Sequence, residues 1–114
     1  MRIQVKGRSG ATVDDEVRSR VEKKLAKVSR QVSPLAVLEI ELSEERNPAI
    51  KESQIAEATL HLKGVTLRAS ERSTDMGHSI NMLADDLARQ VKKHRDKRRG
   101  RREAHRAAAQ QQAI

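Results

Sequence analysis

Hydrophobic and polar residues follow two periods along this 114-residue chain, and the switches between them lay out the elements. At 2–6 the period is two, with Ile3 and Val5 on one face and Arg2, Gln4 and Lys6 on the other, and turn residues follow from Gly7 to Gly10. This predicts a short first strand and a turn. Thr12 then precedes Val13, Asp14, Asp15 and Glu16, a hydroxyl N-cap with acids in the first turn, where they complement the helix dipole. From there Val13, Val17, Val21, Leu25 and Val28 recur four and three apart. They predict a helix that ends near 30–33, ahead of Pro34. Period two returns at 36–42, where Ala36, Leu38, Ile40 and Leu42 point inward while Val37, Glu39, Glu41 and Ser43 point out. That is a strand with one wet face. Residues 43–54 are polar, contain Asn47-Pro48 and predict a mobile loop. A third strand turns Ala56, Ala58, Leu60 and Leu62 inward, Lys63-Gly64 is a tight turn, and Val65, Leu67 and Ala69 carry the inward face into a fourth strand.

Asp75 is the expected N-cap of a closing helix whose stripe is Met76, Ile80, Leu83, Ala84, Leu87 and Val91. Counted from Met76 to Lys97, that helix is about 33 Å long. Arg98 falls back on the stripe phase, so the helix has to leave the domain body before it. Beyond Gly100 the Ala- and Gln-rich end has no stripe and reads as a fraying helix or a flexible tail. The division is a folded domain over 1–97 and a basic tail over 98–114. Because a strand, helix, strand unit needs a crossover, the first two strands are expected to be parallel. The fold class is α+β, a two-layer β-α-β-β-β-α sandwich with a four-stranded sheet and both helices on one face.

Charge adds a partner to this picture. Of 24 Lys and Arg and 16 Asp and Glu, ten basic and two acidic residues lie between Arg89 and Arg106, so the whole net charge of +8 belongs to that segment. A block of this kind concentrates anions and suits a phosphate backbone, although a solvated helix end has the same composition. On the first helix Arg20, Lys23, Lys24, Lys27 and Arg30 form one basic flank beside the apolar stripe. Ordinary solvation explains that flank equally well. On the second, Arg89, Lys92 and Lys93 fall at about 180°, 120° and 220° from Ile80 and face away from the core, with Arg95 and Lys97 next in line. With both helices on one face, these two surfaces could meet in a single groove or ridge for RNA phosphates, read by shape and backbone.

Other chemistry is poorly supplied. The chain has no Phe, Trp or Tyr, which excludes stacking of single-stranded bases on aromatic rings, and no Cys, which excludes disulfides and thiolate metal sites. His61, His78, His94 and His105 are scattered and lack a metal-ligand spacing. Asp85 and Asp86 precede Arg89 by four and three residues, the spacing of helix-surface ion pairs rather than of an acid and base pair. No nucleophile elbow or phosphate loop occurs. The expectation is a protein that is not an enzyme, with no cofactor, no metal and no small-molecule substrate. No run reaches the roughly 20 apolar residues of a membrane span, and the start lacks the apolar core of a secretory signal, so a soluble, cytoplasmic protein is expected.

The helix opening EKKLAKVSR, the strand pair AEATLHLKGVTLRAS and the segment DMGHSINMLADDLARQVKKHRDK together resemble the ribosome hibernation-promoting factors, the protein Y or ribosome-associated inhibitor family, over about residues 2–97. What the resemblance implies is the same β-α-β-β-β-α fold. It also implies a factor that binds the small ribosomal subunit and its 16S-type rRNA in the channel used by messenger RNA and by A- and P-site transfer RNA, inhibiting translation in idle or stressed cells. Carried over by position, the RNA-contacting residues are Lys23, Lys24, Lys27 and Arg30 on the first helix and Arg89, Lys92, Lys93 and Lys97 on the second, with Lys6 and Arg68 on the sheet. Gly77 departs from the family, which usually has an aromatic residue after Asp-Met, and the long 43–54 loop is a second departure. Long members continue into a second domain that pairs ribosomes; this chain is then a short form or the first domain of a long one, and a monomer is favoured. Two other readings remain open on the residues themselves: a general double-stranded RNA or DNA binder, and a basic adaptor for an acidic protein.

Overall fold

The computed structural model describes residues 1–112, with side chains through Ala104. Its elements follow in the order β1 (Arg2–Arg8), α1 (Asp15–Ser29), β2 (Val37–Glu44), β3 (Gln54–Leu62), β4 (Val65–Ser73) and α2 (Met76–Gln112). The sheet order is β1-β2-β3-β4. β1 pairs in parallel with β2, Val5 opposite Ile40, while β2, β3 and β4 form an antiparallel meander with Ile40 opposite Ala58 and Ala58 opposite Ala69. The parallel pair follows from the helical crossover between the two strands, and the meander from short connections.

One apolar cluster holds the two layers together. It takes Leu38, Ile40 and Leu42 from β2, Ala56, Ala58 and Leu60 from β3, Val21, Leu25 and Val28 from α1, and Ile80, Leu83, Ala84, Leu87 and Val91 from α2. These are the inward positions of the strands and the stripes of both helices. A fully buried Leu or Ile contributes roughly 1.5–3 kcal/mol by leaving water, so the stripe of α2 is a principal support of the domain. Both helices therefore lie on one face of the sheet.

Three boundaries differ from the sequence expectation. Helix α1 is capped by Asp14, whose Oδ1 accepts the Val17 N–H at 2.9 Å, and not by Thr12. Asp14 is the residue whose carboxylate reaches the free N–H groups of the first turn, and Val13 is left outside the helix, half-buried against the core. Strands β2 and β3 both run further than expected, pairing as far as Glu44 and Gln54. Ser43, expected to be wet, is buried on the open face between Arg8 of β1 and Ile55 of β3. Helix α2 does not stop near Lys97 but continues through Gly100 to Gln112, 37 residues and about 55 Å. Its last core residue is nevertheless Val91. The Lys63-Gly64 turn is as expected, with Gly64 at φ 79°, a left-handed conformation that favours glycine.

Candidate nucleic-acid interface

Helix α2 is set on the sheet by its first turn. Asp75 Oδ2 accepts the His78 N–H at 3.0 Å, which caps the helix as expected. Ser79, fully buried, donates its hydroxyl to the Gln54 carbonyl of β3 at 2.7 Å and lies 2.9 Å from the Ser73 hydroxyl at the end of β4. Further along, Gln90 Nε2 donates to the Arg68 carbonyl of β4 at 2.8 Å. With the apolar stripe between these ties, the rotation of α2 is settled, and so is the direction in which its outer cations point.

Helix α1 lies beside it and runs the same way. Arg20 of α1 rests against Gly77 in the first turn of α2, and Lys27, two turns on, forms an ion pair with Asp85. A Cβ at position 77 would meet the Arg20 guanidinium, the mobile end of that side chain, so the arginine would have to shift to make room for it. Asp85 therefore pairs across the helices rather than with Arg89, while Asp86 accepts from Gln90 Nε2 at 3.3 Å, and the pairs expected within α2 are replaced. The Lys27 hydrogen bond and charge, with Arg89 and Lys24 adding to them, hold the Asp85 carboxyl below its ordinary value.

Between the helices runs a groove of about 490 Å³ lined by Glu16, Ser19, Arg20, Lys23 and Lys24 of α1 and Asn81 of α2. Asn81 Oδ1 is buried without a hydrogen-bond partner among the described residues. The groove thus offers three cations and an amide against the single carboxylate of Glu16, a combination suited to a phosphate and the sugar or base next to it. Sequence reasoning placed Arg20 on the basic flank but did not single it out with Asn81. The available signal was Gly77, beside which the Arg20 guanidinium rests.

Lys23, Lys24 and Lys27 are exposed on α1 and Arg30 at its C-cap, and Arg89, Lys92, Lys93 and Lys97 are exposed on α2. Lys24, Lys27 and Arg89 converge on Asp85, so the two helical sets do meet. Lys6 and Arg68 do not join them. Their strands form opposite edges of the sheet, about 14 Å apart, and both side chains lie on the face away from the helices. Lys6 borders a hollow with Glu39, Glu41 and Glu57, an environment that competes for its charge. Among the described residues no group of three or more His, Cys, Asp or Glu side chains is placed to hold a metal ion, and no helix is long and apolar enough to cross a membrane.

Comparison with known proteins agrees with this architecture. A ribosomal subunit interface protein from Coxiella burnetii superposes with a TM-score of 0.68 at 26% identity, covering 84% of this chain and 99% of that one. The Protein Y N-terminal domain of Thermus thermophilus superposes with a TM-score of 0.71 at 29% identity, covering 82% of this chain and 99% of that one. In sequence, the chain is 34% identical over 97 residues to a ribosome hibernation promotion factor of Staphylococcus aureus (strain COL), covering 83% of this chain and 48% of the relative. It is 32% identical over 108 residues to a ribosome hibernation promoting factor of Azotobacter vinelandii, with 95% of each chain covered. A third relative, from Picosynechococcus, is 30% identical over 102 residues and is covered over 52% of its length, against 89% of this chain, so the chain spans about half of two of these relatives and nearly all of the other. The sequence model of the family described as Sigma 54 modulation protein / S30EA ribosomal protein matches residues 3–99, and the chain belongs to that family.

Proposed function

We propose that this chain is a ribosome hibernation factor that binds the small ribosomal subunit in the channel of messenger RNA and of A- and P-site transfer RNA, and thereby inhibits translation when cells are idle or stressed. The observation that carries the proposal is the pair of parallel helices whose outer cations surround one groove, Arg20, Lys23 and Lys24 facing Asn81, with Lys27 and Arg89 adjoining at Asp85. The names of the relatives supply the ribosome as the polyanion. The factor acts by occupancy, without cofactor or chemical step, as a cytoplasmic monomer. RNA phosphates dock on Lys23, Lys24, Lys27 and Arg30 of α1 and on Arg89, Lys92, Lys93 and Lys97 of α2, displacing condensed counterions. Lys6 and Arg68, on the opposite side of the sheet, serve a second contact at most.

Cosedimentation with purified small subunits, with and without messenger and transfer RNA, tests the mechanism. Both RNAs are expected to compete, and binding indifferent to either overturns the channel site. A gel-shift panel completes the test: equal affinity for an arbitrary RNA or DNA duplex would favour a general duplex binder.

A further inference from the structure

At the end of the domain where α2 leaves the body, a slot of about 530 Å³ opens between the residues after α1, the β3 to β4 turn and the underside of α2. Its walls are mostly apolar, with Val32 and Val37 on one side, Leu62 on another and Val91 above, and Gln31 and Ser33 add polar groups. Its lip is Leu35, which is 90% exposed and is the one large hydrophobic side chain so exposed among the described residues. Lys63 on the turn and Arg95 and Arg98 on α2 supply cations, the imidazoles of His61 and His94 complete the lining, and among the described residues no Asp or Glu lines it. One of these cations is unsatisfied. The Nε–H of Arg95 is buried and has no hydrogen-bond acceptor among the described residues.

The slot does not belong to the proposed RNA surface. With Ile80 as zero, Val91, His94, Arg95 and Arg98 lie within about 60° of the core stripe, whereas Arg89, Lys92 and Lys93 lie at about 180°, 120° and 220°. An occupant of the slot and a polyanion on the outer face could therefore be held together. Its apolar walls also ask for something other than a nucleic acid. A sugar-phosphate chain brings no hydrophobic group to bury, and a base brings a flat ring that would seek an aromatic partner, of which the chain has none. An exposed leucine over an apolar pocket calls for an apolar side chain, and a buried, unpaired guanidinium N–H with Lys63 and Arg98 beside it calls for a carboxylate.

We infer that this slot is a docking site for an acidic peptide segment of a partner protein, one that seats a large apolar side chain under Leu35 and places a carboxylate on Arg95. The inference goes beyond the ribosome reading and concerns a different face of α2. A partner held there would ride with the factor instead of competing with RNA for its outer helices.

The test is a selection on the full 114-residue chain with a display library of random 12-residue peptides, counter-selected on a Leu35→Glu variant. Leu35 is almost fully exposed, so the variant should fold as the parent does, and its cosedimentation with small subunits should be unchanged. Enriched peptides should combine a large apolar residue with two or more carboxylates within a few positions. They should bind Leu35→Glu about tenfold or more weakly, and they should perturb the backbone amides of Leu35, Leu62 and Arg95 in an NMR titration. Enrichment of peptides without carboxylates overturns the inference, and so does equal binding to Leu35→Glu, which would place acidic peptides on the outer helices. An eight-nucleotide single-stranded RNA that binds the parent and loses that binding in Leu35→Glu would assign the slot to RNA and overturn it as well. No arm of the peptide selection uses a ribosome, so its failure leaves the proposed function standing.

Discussion

Single residues decide how the two helices are joined. Ser79 is buried where α2 meets β3 and β4, and its hydroxyl serves the Gln54 carbonyl and the Ser73 hydroxyl together. Ser79→Ala takes a donor from the Gln54 carbonyl, while the Ser73 hydroxyl keeps its bonds to the Asp75 carbonyl and N–H, and chemical denaturation should show a loss of about 1–3 kcal/mol. The Lys27 and Asp85 pair is of a different kind. The two side chains are 44% and 65% exposed, so a double-mutant cycle should give a coupling of only about 0.2–1 kcal/mol. Because the folded Asp85 has its pKa lowered from 3.8, its contribution is present above that value and is lost as pH falls through the lower folded value. The coupling should therefore persist at pH 7 and vanish in strong acid. Asp85 also partly neutralises Lys27, Arg89 and Lys24, three of the proposed RNA-contacting cations. Replacing it with Asn should tighten binding to small subunits and steepen the dependence of log affinity on log salt by up to about one unit.

At the scale of elements, α2 is a helix with two employments. Up to Val91 its stripe is core, and beyond Val91 it holds itself as a helix without burying that stripe, so local propensity counts there for more than packing. Gly100 is the weak point, since a Cβ at that position would meet nothing within 4 Å. Gly100→Ala should stabilise the projecting turns by about 1 kcal/mol and slow amide exchange at 97–104. The global unfolding midpoint should not move, because no core contact depends on those turns. A raised midpoint would mean that the projection packs on the domain after all. Helix α1 shows the converse: its cap moved from Thr12 to Asp14, yet its stripe from Val17 to Val28 and its basic flank remained where the period placed them.

For the whole molecule, the question is how far binding needs the segment after Lys97. A chain ending at Lys97 keeps every buried residue of the core and all the proposed RNA-contacting positions. It should unfold at the parent's midpoint and still be displaced from small subunits by messenger and transfer RNA. Its affinity at low salt should fall, with a shallower salt slope, because the cations removed add attraction without positioning. Loss of the competition in this variant would assign the channel contact to the tail.

Strand and helix identity, the inward positions, the hairpin turn and the Asp75 cap were all legible in the sequence because each depends on residues a few positions apart, where a period of two or 3.6 is enough. Family membership was legible for a similar reason, carried by contiguous segments. Pairings between distant residues were not. Nothing within α2 shows that Asp85 would find Lys27, 58 residues away, ahead of Arg89, four residues away. Nor does the sequence show that Gly77 would be covered by Arg20. The slot under Leu35 is likewise built by three separated segments. The far-side placement of Lys6 and Arg68, by contrast, already follows from the period of two, since their neighbours Val5, Leu67 and Ala69 point inward. In sum, local periodicity determined the elements, their apolar faces and the location of the charge. Only the packing of α1 beside α2 decided which cations share a groove and which are already paired, because those outcomes depend on distances that no spacing along the chain encodes.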